Sequence, residues 1–308
     1  MNVACDGTQP NFFLIGAAKC GTTSVAKYLD QHPEIYVSKP KEPNFFAFEP
    51  NSVPACVGPA DTKLLFELLL KYTITSPEEY AELFSGGADC AARGEASVRY
   101  LYESHVPAKV AAHTPDAKLI VLLRDPIDRL HSHYHMNVRQ HIEPESLTSA
   151  LTLEDQRVSD GAGWDWHYRR VGCYAEQLQR WYQHFDRAQV LVLFQDDLQS
   201  QPQATMTAIF RHLEVASDFV PDFAQRAMVG HTPRWQRLRR IIRDDNIIKT
   251  VAKRVLPKGI RKSFVSWSET RNRKAIPPLD AKLRQTLSAE YSEGNQHLAD
   301  LLERRLPW

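Results

Sequence analysis

No stretch of this sequence is apolar for long. Even an unbroken apolar run such as Leu119 to Leu123 is only strand-sized, far from the roughly 20 residues a membrane span needs. The opening M-N-V-A-C-D-G-T-Q-P holds neither a basic cluster nor an apolar core, so no secretory signal is expected. Neither sign of charge prevails: 38 Lys+Arg stand against 37 Asp+Glu, which argues against bulk nucleic-acid binding. Cysteine is scarce. Cys5, Cys20, Cys56, Cys90 and Cys173 are odd in number and irregularly spaced, with no C-x-x-C and no His/Cys cluster. That excludes a disulfide framework, leaves no zinc signature and suits a reducing compartment. Internal repeats and low-complexity tracts are missing too.

What is present is ordinary globular composition, 43% hydrophobic and 24% charged over 308 residues, enough for a sizeable core. The run Asn11 to Ile15 reads as a buried strand ending at Gly16, followed by a glycine turn and a helix from Thr23. Strand, glycine loop and helix open a βαβ unit. Glu34 to Val37 reads as a short strand, Thr62 to Lys71 as a short helix, and Ser76 to Phe84 as a helix with an S-P-E-E start. K-L-I-V-L-L-R from Lys118 is apolar enough for a central parallel strand covered on both faces. It leads into a helix with Pro126 in its first turn. Residues 139–171 read as a polar lid. Tyr174 to Phe185 is an expected helix, Gln189 to Phe194 a strand, Pro202 to Leu213 a helix, and Asp280 to Leu306 an amphipathic helix. The fold class is therefore α/β, a parallel sheet flanked by helices. A single domain, 1–308, is expected, with acceptor-side insertions at 47–75 and 139–171.

Two motifs carry chemistry. The loop G-A-A-K-C-G-T-T-S spans Gly16 to Ser24. Backbone N–H groups at a helix start attract anions, and glycines let a phosphate come close. Its Gly16 to Gly21 spacing copies a nucleotide P-loop, but the G-K-[ST] ending is missing and the lysine, Lys19, lies inside the loop. A purely structural turn is the plain alternative. A lysine and three hydroxyls on one turn favour phosphate. The second motif is L-L-R-D-P-I-D-R-L-H-S-H-Y. It puts Arg124 at the C-terminal end of the central strand, where open α/β sheets bind ligands. Ser132 follows two turns into the helix. Both could grip a second phosphate; alternatively Arg124 pairs with Asp125 or Asp128.

Together, in this order, the two motifs resemble those of sulfotransferases that use 3′-phosphoadenosine 5′-phosphosulfate (PAPS). K-E-P-N-F-F from Lys41, G-E-A-S from Gly94, G-C-Y-A-E-Q-L-Q-R-W-Y-Q-H-F from Gly172, P-P-L from Pro277 and the final L-P-W extend the likeness over most of the chain. It is similar to the glycan-type enzymes and their bacterial relatives more than to the phenol and steroid class. The resemblance implies a P-loop-like sulfotransferase fold and in-line transfer of a sulfuryl group to a hydroxyl or amine. PAPS is then the co-substrate, with no metal needed. It implies that Lys19, Cys20, Gly21, Thr22, Thr23 and Ser24 hold the 5′-phosphosulfate, with Lys19 also catalytic. Arg124 and Ser132 hold the 3′-phosphate, and Thr232 and Arg234, with Arg237, belong to a segment over the nucleotide.

Glu42 is the expected general base. A hydroxyl attacking sulfur must lose its proton, and a carboxylate within reach can take it. Glu42-Pro43-Asn44-Phe45-Phe46 matches an E-x-x-F-F pattern in which that glutamate is the base. A solvated carboxylate neutralised by Lys39 or Lys41 is the bland alternative. Relatives often carry lysine after the glutamate of an E-K-[ST]-P stretch; here Glu95 is followed by Ala96, with Arg99 or Lys39 as replacements. Acceptor contacts are expected from Lys39, Lys41, Phe46 and Arg99, and from Trp166, His167 and Tyr168, whose aromatic cluster could instead simply dock on the core. His131, His133 and His135 suggest metal spacing on a strand, but they follow Pro126 into a helix, where i and i+2 do not share a face. No metal site is expected. His105 and His167 are the reserve bases. The acceptor is a small molecule, a lipid or a saccharide, not a nucleic acid, and a cytoplasmic tailoring enzyme is expected. A P-loop kinase or NTPase and a non-catalytic nucleotide-binding module are the competing readings.

Overall fold

The computed structural model describes residues 9–52, 54–225, 232–233, 273–274 and 276–308. Five short strands line up in parallel: β1 (Phe12–Gly16), β2 (Ile35–Val37), β3 (Ala92–Ala96), β4 (Lys118–Leu123) and β5 (Val190–Phe194). Their order is β2-β3-β1-β4-β5. Every residue of β1 is buried, as are five of the six in β4, which fits central parallel strands covered on both faces. Helices make the crossovers: α1 (Thr22–Leu29), α2 (Thr62–Leu65), α3 (Pro77–Glu82), α4 (Val106–His113), α5 (Pro126–Gln140), α6 (Leu147–Thr152), α7 (Glu154–Ser159) and α8 (Tyr174–Tyr182); α9 (Gln195–Ser200), α10 (Pro202–Leu213) and α11 (Ala281–Leu302) follow β5. Because the strands are parallel, all their C-terminal ends open on one edge, and β1, β3 and β4 are neighbours there.

β3 is the strand the sequence reading lacks. A-R-G-E-A has no β-branched residue and a glycine in its middle, so it carries no strand pattern. It becomes one through its neighbours, pairing Gly94 with Phe12 on one side and with Val37 on the other. Glycine is required there: a Cβ on Gly94 would lie 2.2 Å from the Phe12 carbonyl oxygen.

Local signals set the helix starts. Asp125 caps α5, its Oδ1 accepting from Ile127 N at 2.7 Å, with Pro126 in the first turn. Ser76 Oγ caps α3 at 3.2 Å, and Asp280 caps α11. These oxygens take up N–H groups that a helix start leaves unpaired. The α11 side chain Arg284 reaches back to both Asp125, at 3.5 Å, and Asp128. Beyond α11 the chain closes on β5. Arg304 donates to the Val192 carbonyl at 2.6 Å and lies over the Phe194 ring at 4.2 Å. Trp308 meets the same ring edge-on at 5.3 Å.

Residues 139–171 are not a polar lid. Ile142, Ala150, Leu151, Trp166 and Tyr168 join Leu65, Ile127, Leu130, Leu287 and Tyr291 in a second hydrophobic cluster beside the main core. Several of the charges that make the stretch look polar pair with one another. Arg157 holds Glu143 through two nitrogens at 2.7 and 2.9 Å, and both are buried. Glu154 accepts from the backbone of Arg169 and Arg170 at 2.9–3.1 Å. The stretch also touches the loop before α2, where Gly163 N donates to Val57 O at 2.9 Å.

Candidate active site

The glycine loop turns at Gly21, whose φ of 96° suits glycine, and α1 begins with no side-chain cap. Its first N–H groups therefore face outward for an acceptor from elsewhere. Thr22 is buried and Thr23 exposed at this start. Ala17 N donates to Leu122 O at 2.7 Å and ties the loop to the end of β4. The two phosphate motifs therefore meet at the C-terminal ends of adjacent strands, as the sequence predicts.

Their electrostatics are unbalanced. Lys19 is largely withdrawn from water, and burial, followed by the nearby Arg139, Arg124 and Arg129, lowers its pKa to about 8. Its ammonium contacts the Met136 sulfur at 3.3 Å; among the described residues no carboxylate bridges it. Arg129 is fully buried in α5, donating to the Tyr168 carbonyl and lying 3.2 Å from His133 Nδ1, again with no carboxylate among the described residues. Arg124 has a partner, but a weak one: Asp128 Oδ2 at 3.8 Å, with both groups partly exposed. The ion-pair alternative is thus present for Asp128 and not for Asp125, which is engaged as the helix cap. Ser132 lies half-buried on α5, two turns on. A buried arginine and a half-buried lysine that meet no carboxylate among the described residues are costly unless an anion completes the site.

Sequence reasoning missed Arg129, because an arginine inside a helix gives no sign of its burial. The Cys20 side chain is turned into the core and offers nothing to the face of the loop. Its thiol is fully buried against Tyr174 Oη at 3.8 Å, and burial pushes it up to about 11.

Glu42 stands at the next strand ends. It has a φ of 65°, and its N–H donates to Ala96 O at 3.1 Å. Val98 N–H donates to Glu42 Oε2 at 2.9 Å, and Lys41 contacts Oε1. The carboxylate is one-third exposed. It is therefore neither freely solvated nor deeply buried, but fixed beside β3. Lys39 is not its partner; it sits exposed with Asp30 at 3.0 Å.

Several expected acceptor contacts lie elsewhere. Phe46 is buried in an aromatic cluster, its ring centroid 5.9 Å from Phe13 and 5.4 Å from Tyr80; it anchors the loop and cannot touch an acceptor. Trp166 and Tyr168 are fully buried. Trp166 Nε1 donates to Ile142 O at 3.1 Å, and Tyr168 Oη donates to Glu143 at 2.8 Å. Docking on the core is their role. His167 has both nitrogens engaged, Nδ1 with Tyr102 Oη at 2.7 Å and Nε2 with Ala162 O at 3.0 Å, so it is no reserve base. Arg99 is buried, ion-paired to Asp165 at 3.4 Å and Glu103 at 3.7 Å, and offers no free charge in place of the lysine missing at Ala96. His105 is exposed near Ala47 O. Thr232 lies in β6 (Thr232–Pro233), antiparallel to β7 (Arg273–Lys274); Arg234, Arg237 and the basic run 234–243 lie outside the described residues.

The three histidines divide. His133 is buried behind the site, and burial holds its pKa well below the usual histidine range. His131 and His135 do share a face, as i and i+4, with their Nε2 atoms 3.0 Å apart. The i, i+2 argument overlooked that spacing. Among the described residues no three His, Cys, Asp or Glu side chains are grouped to hold a metal, and no helix is long and apolar enough to cross a membrane.

The sulfotransferase domain profile matches residues 9–236. The chain belongs to the sulfotransferase domain family. Sulfuryl transfer is the reaction class of that family and of this enzyme, and the kinase or NTPase reading is set aside. A sulfotransferase from Alicyclobacillus acidocaldarius is 30% identical, with a TM-score of 0.73, and the match covers 97% of both chains. Mouse bifunctional heparan sulfate N-deacetylase/N-sulfotransferase 3 is 26% identical over 97% of this chain and 30% of its own length. Mouse carbohydrate sulfotransferase 15 is 27% identical over 67% of this chain and 44% of its own. The chain thus spans under half the length of these curated relatives.

Proposed function

We propose that this sulfotransferase takes its sulfuryl group from PAPS and delivers it to a hydroxyl or amine deprotonated by Glu42. The observation that carries the donor is the gathering of Lys19, Arg124 and Arg129 around an uncapped helix start, a cradle for more than one anionic group. When bound, the donor supplies a sulfuryl group on an anionic leaving phosphate. Lys19 and the first N–H groups of α1 would meet the charge growing on that leaving oxygen, in surroundings dry enough to make the contact strong. Thr22, Thr23 and Ser24 lie where the 5′-phosphate would rest, with Arg124 and Ser132 at the 3′-phosphate. An acceptor oxygen or nitrogen bonds to sulfur, the bond from sulfur to the phosphate oxygen breaks, and the acceptor proton passes to Glu42. Each Glu42 oxygen already receives one donor and keeps a further lone pair for that proton.

The sugar-directed names of the relatives favour a saccharide bearing an amine or hydroxyl as acceptor. Incubation with PAPS and a panel of amino sugars, oligosaccharides, lipids and small alcohols, read by an 80 Da mass gain (the mass of SO₃, about that of any sulfation), tests this directly. Thermal stabilisation by PAPS and not by ATP is expected; the opposite preference would sink the donor assignment.

A further inference from the structure

Glu95 lies fully buried at the end of β3, beneath the loop that carries Glu42. Burial raises its pKa to about 7, with the Glu42 charge adding to the rise and three hydroxyls opposing it. Those hydroxyls are Tyr80 Oη at 2.9 Å, Tyr100 Oη at 2.7 Å and Ser97 Oγ, all donating to the carboxylate. A hydroxyl has one proton to give. Since Ser97 and Tyr100 give theirs to Glu95, their lone pairs are left to face two backbone donors. Asn44 N–H bonds Ser97 Oγ at 3.0 Å, and Phe46 N–H bonds Tyr100 Oη at 3.2 Å. Both donors belong to the turn directly after Glu42. In that turn Glu42 and Asn44 hold left-handed φ values of 65° and 52°, a conformation that asparagine takes readily but glutamate keeps only where its surroundings favour it. Asn44 Nδ2 closes the turn on the Glu42 carbonyl at 2.9 Å.

We propose that Glu95 is the positioning residue for Glu42: by orienting the Ser97 and Tyr100 hydroxyls it fixes the 42–46 turn and so aims the base. This rests on the reading of Glu42 as the base. The three hydroxyls are not equivalent under the proposal. Tyr100 links Glu95 to the turn, whereas the Tyr80 hydroxyl bonds Glu95 and leads no further.

Glu95→Gln keeps the size but replaces one acceptor oxygen with a donor, so one of the three hydroxyls must turn away. Turnover of labelled PAPS, onto water or onto the acceptor found by mass gain, should fall about 10- to 100-fold. The Kd for adenosine 3′,5′-bisphosphate should stay within about twofold, because that site lies at β1 and β4. Amide hydrogen exchange should speed up at Asn44, Phe46 and Val98, the last reporting on the Glu42 bond. Tyr100→Phe should reproduce these changes and Tyr80→Phe should show them far more weakly, although each loses one hydroxyl bond to Glu95. In the double variant Glu42→Gln/Glu95→Gln, turnover should be no lower than in Glu42→Gln alone. Unchanged exchange at those three amides, equal effects of the two tyrosine variants, or multiplying losses in the double variant would each overturn the positioning role. Near-normal turnover in Glu42→Gln would instead overturn the base, and the amide exchange would still show whether Glu95 sets the turn.

Discussion

The phosphate loop with the start of α5 and the stretch from 139 to 171 are both rich in charge, yet they are built on opposite terms. In the second, each charge discussed has a counterpart: Arg157 with Glu143, Arg99 with Asp165, Glu154 with the backbone of Arg169 and Arg170. In the first, Lys19 rests against a thioether and Arg129 against a carbonyl and an imidazole. Paired charges hold a fold together. Charges withdrawn from water and left without counter-charge cost stability until a ligand supplies it, which is why such sites mark function.

The contrast can be tested from the largest effect down. Glu42→Gln should lower turnover by roughly 10²–10⁴ and leave nucleotide affinity alone, since glutamine can still accept from Val98 N–H; a loss confined to nucleotide binding would place Glu42 with the phosphate loop instead. On the paired side, Arg157→Ala strands a buried Glu143 and should cost about 3–5 kcal/mol in chemical unfolding. Its adenosine 3′,5′-bisphosphate affinity, measured by calorimetry below the melting range, should not move. If it does, the two regions are less separate than their charges suggest.

Arg124→Ala should weaken PAPS binding by about 1.5–3 kcal/mol, the scale of a charged hydrogen bond. Adenosine 5′-phosphosulfate, lacking the 3′-phosphate, should bind variant and parent about equally. Lys19→Met should reduce turnover more than product affinity, because the ammonium meets charge that develops in the transition state. The same variant should make the ligand-free protein more stable, by about 1 kcal/mol or 2–4 °C; a less stable variant would show that Lys19 is not a withdrawn, uncompensated charge. The smallest effect is on pH. An anion favours charged Lys19, whose pKa without ligand is lowered to about 8 by burial and the neighbouring arginines. Donor affinity should therefore be full below that value and decline as pH rises through it, and Lys19→Met should flatten the decline.

Much of this was legible in the residues. β1 and β4 show as short apolar runs, and the order of the two phosphate motifs, set on neighbouring parallel strands, leaves few ways for them to meet. The motif singles out Glu42 as a candidate but gives no sign of the Val98 bond that holds it. The unread parts share a cause: they depend on what lies across space, not along the chain. A-R-G-E-A is a strand only because Phe12 and Val37 pair with Gly94. Residues 139–171 look polar because charge is counted residue by residue, whereas Arg157, Glu143 and Glu154 find their partners only after folding. Trp166 and Tyr168 look like a lid until Ile142 and Glu143 are seen holding them inward.

The seal on β5 bears on how the chain is born. Synthesis runs from the N-terminus at about 5–20 residues per second. Arg304 and Trp308, which cover Val192 and Phe194, emerge on the order of ten seconds after the strand they protect. During that interval β5 already has the means to join β4 but presents a bare edge, and bare edges recruit other strands. The nascent protein is therefore exposed to sticking at this edge until Arg304 and Trp308 arrive. A ribosome stalled within α11 would hold it in that state.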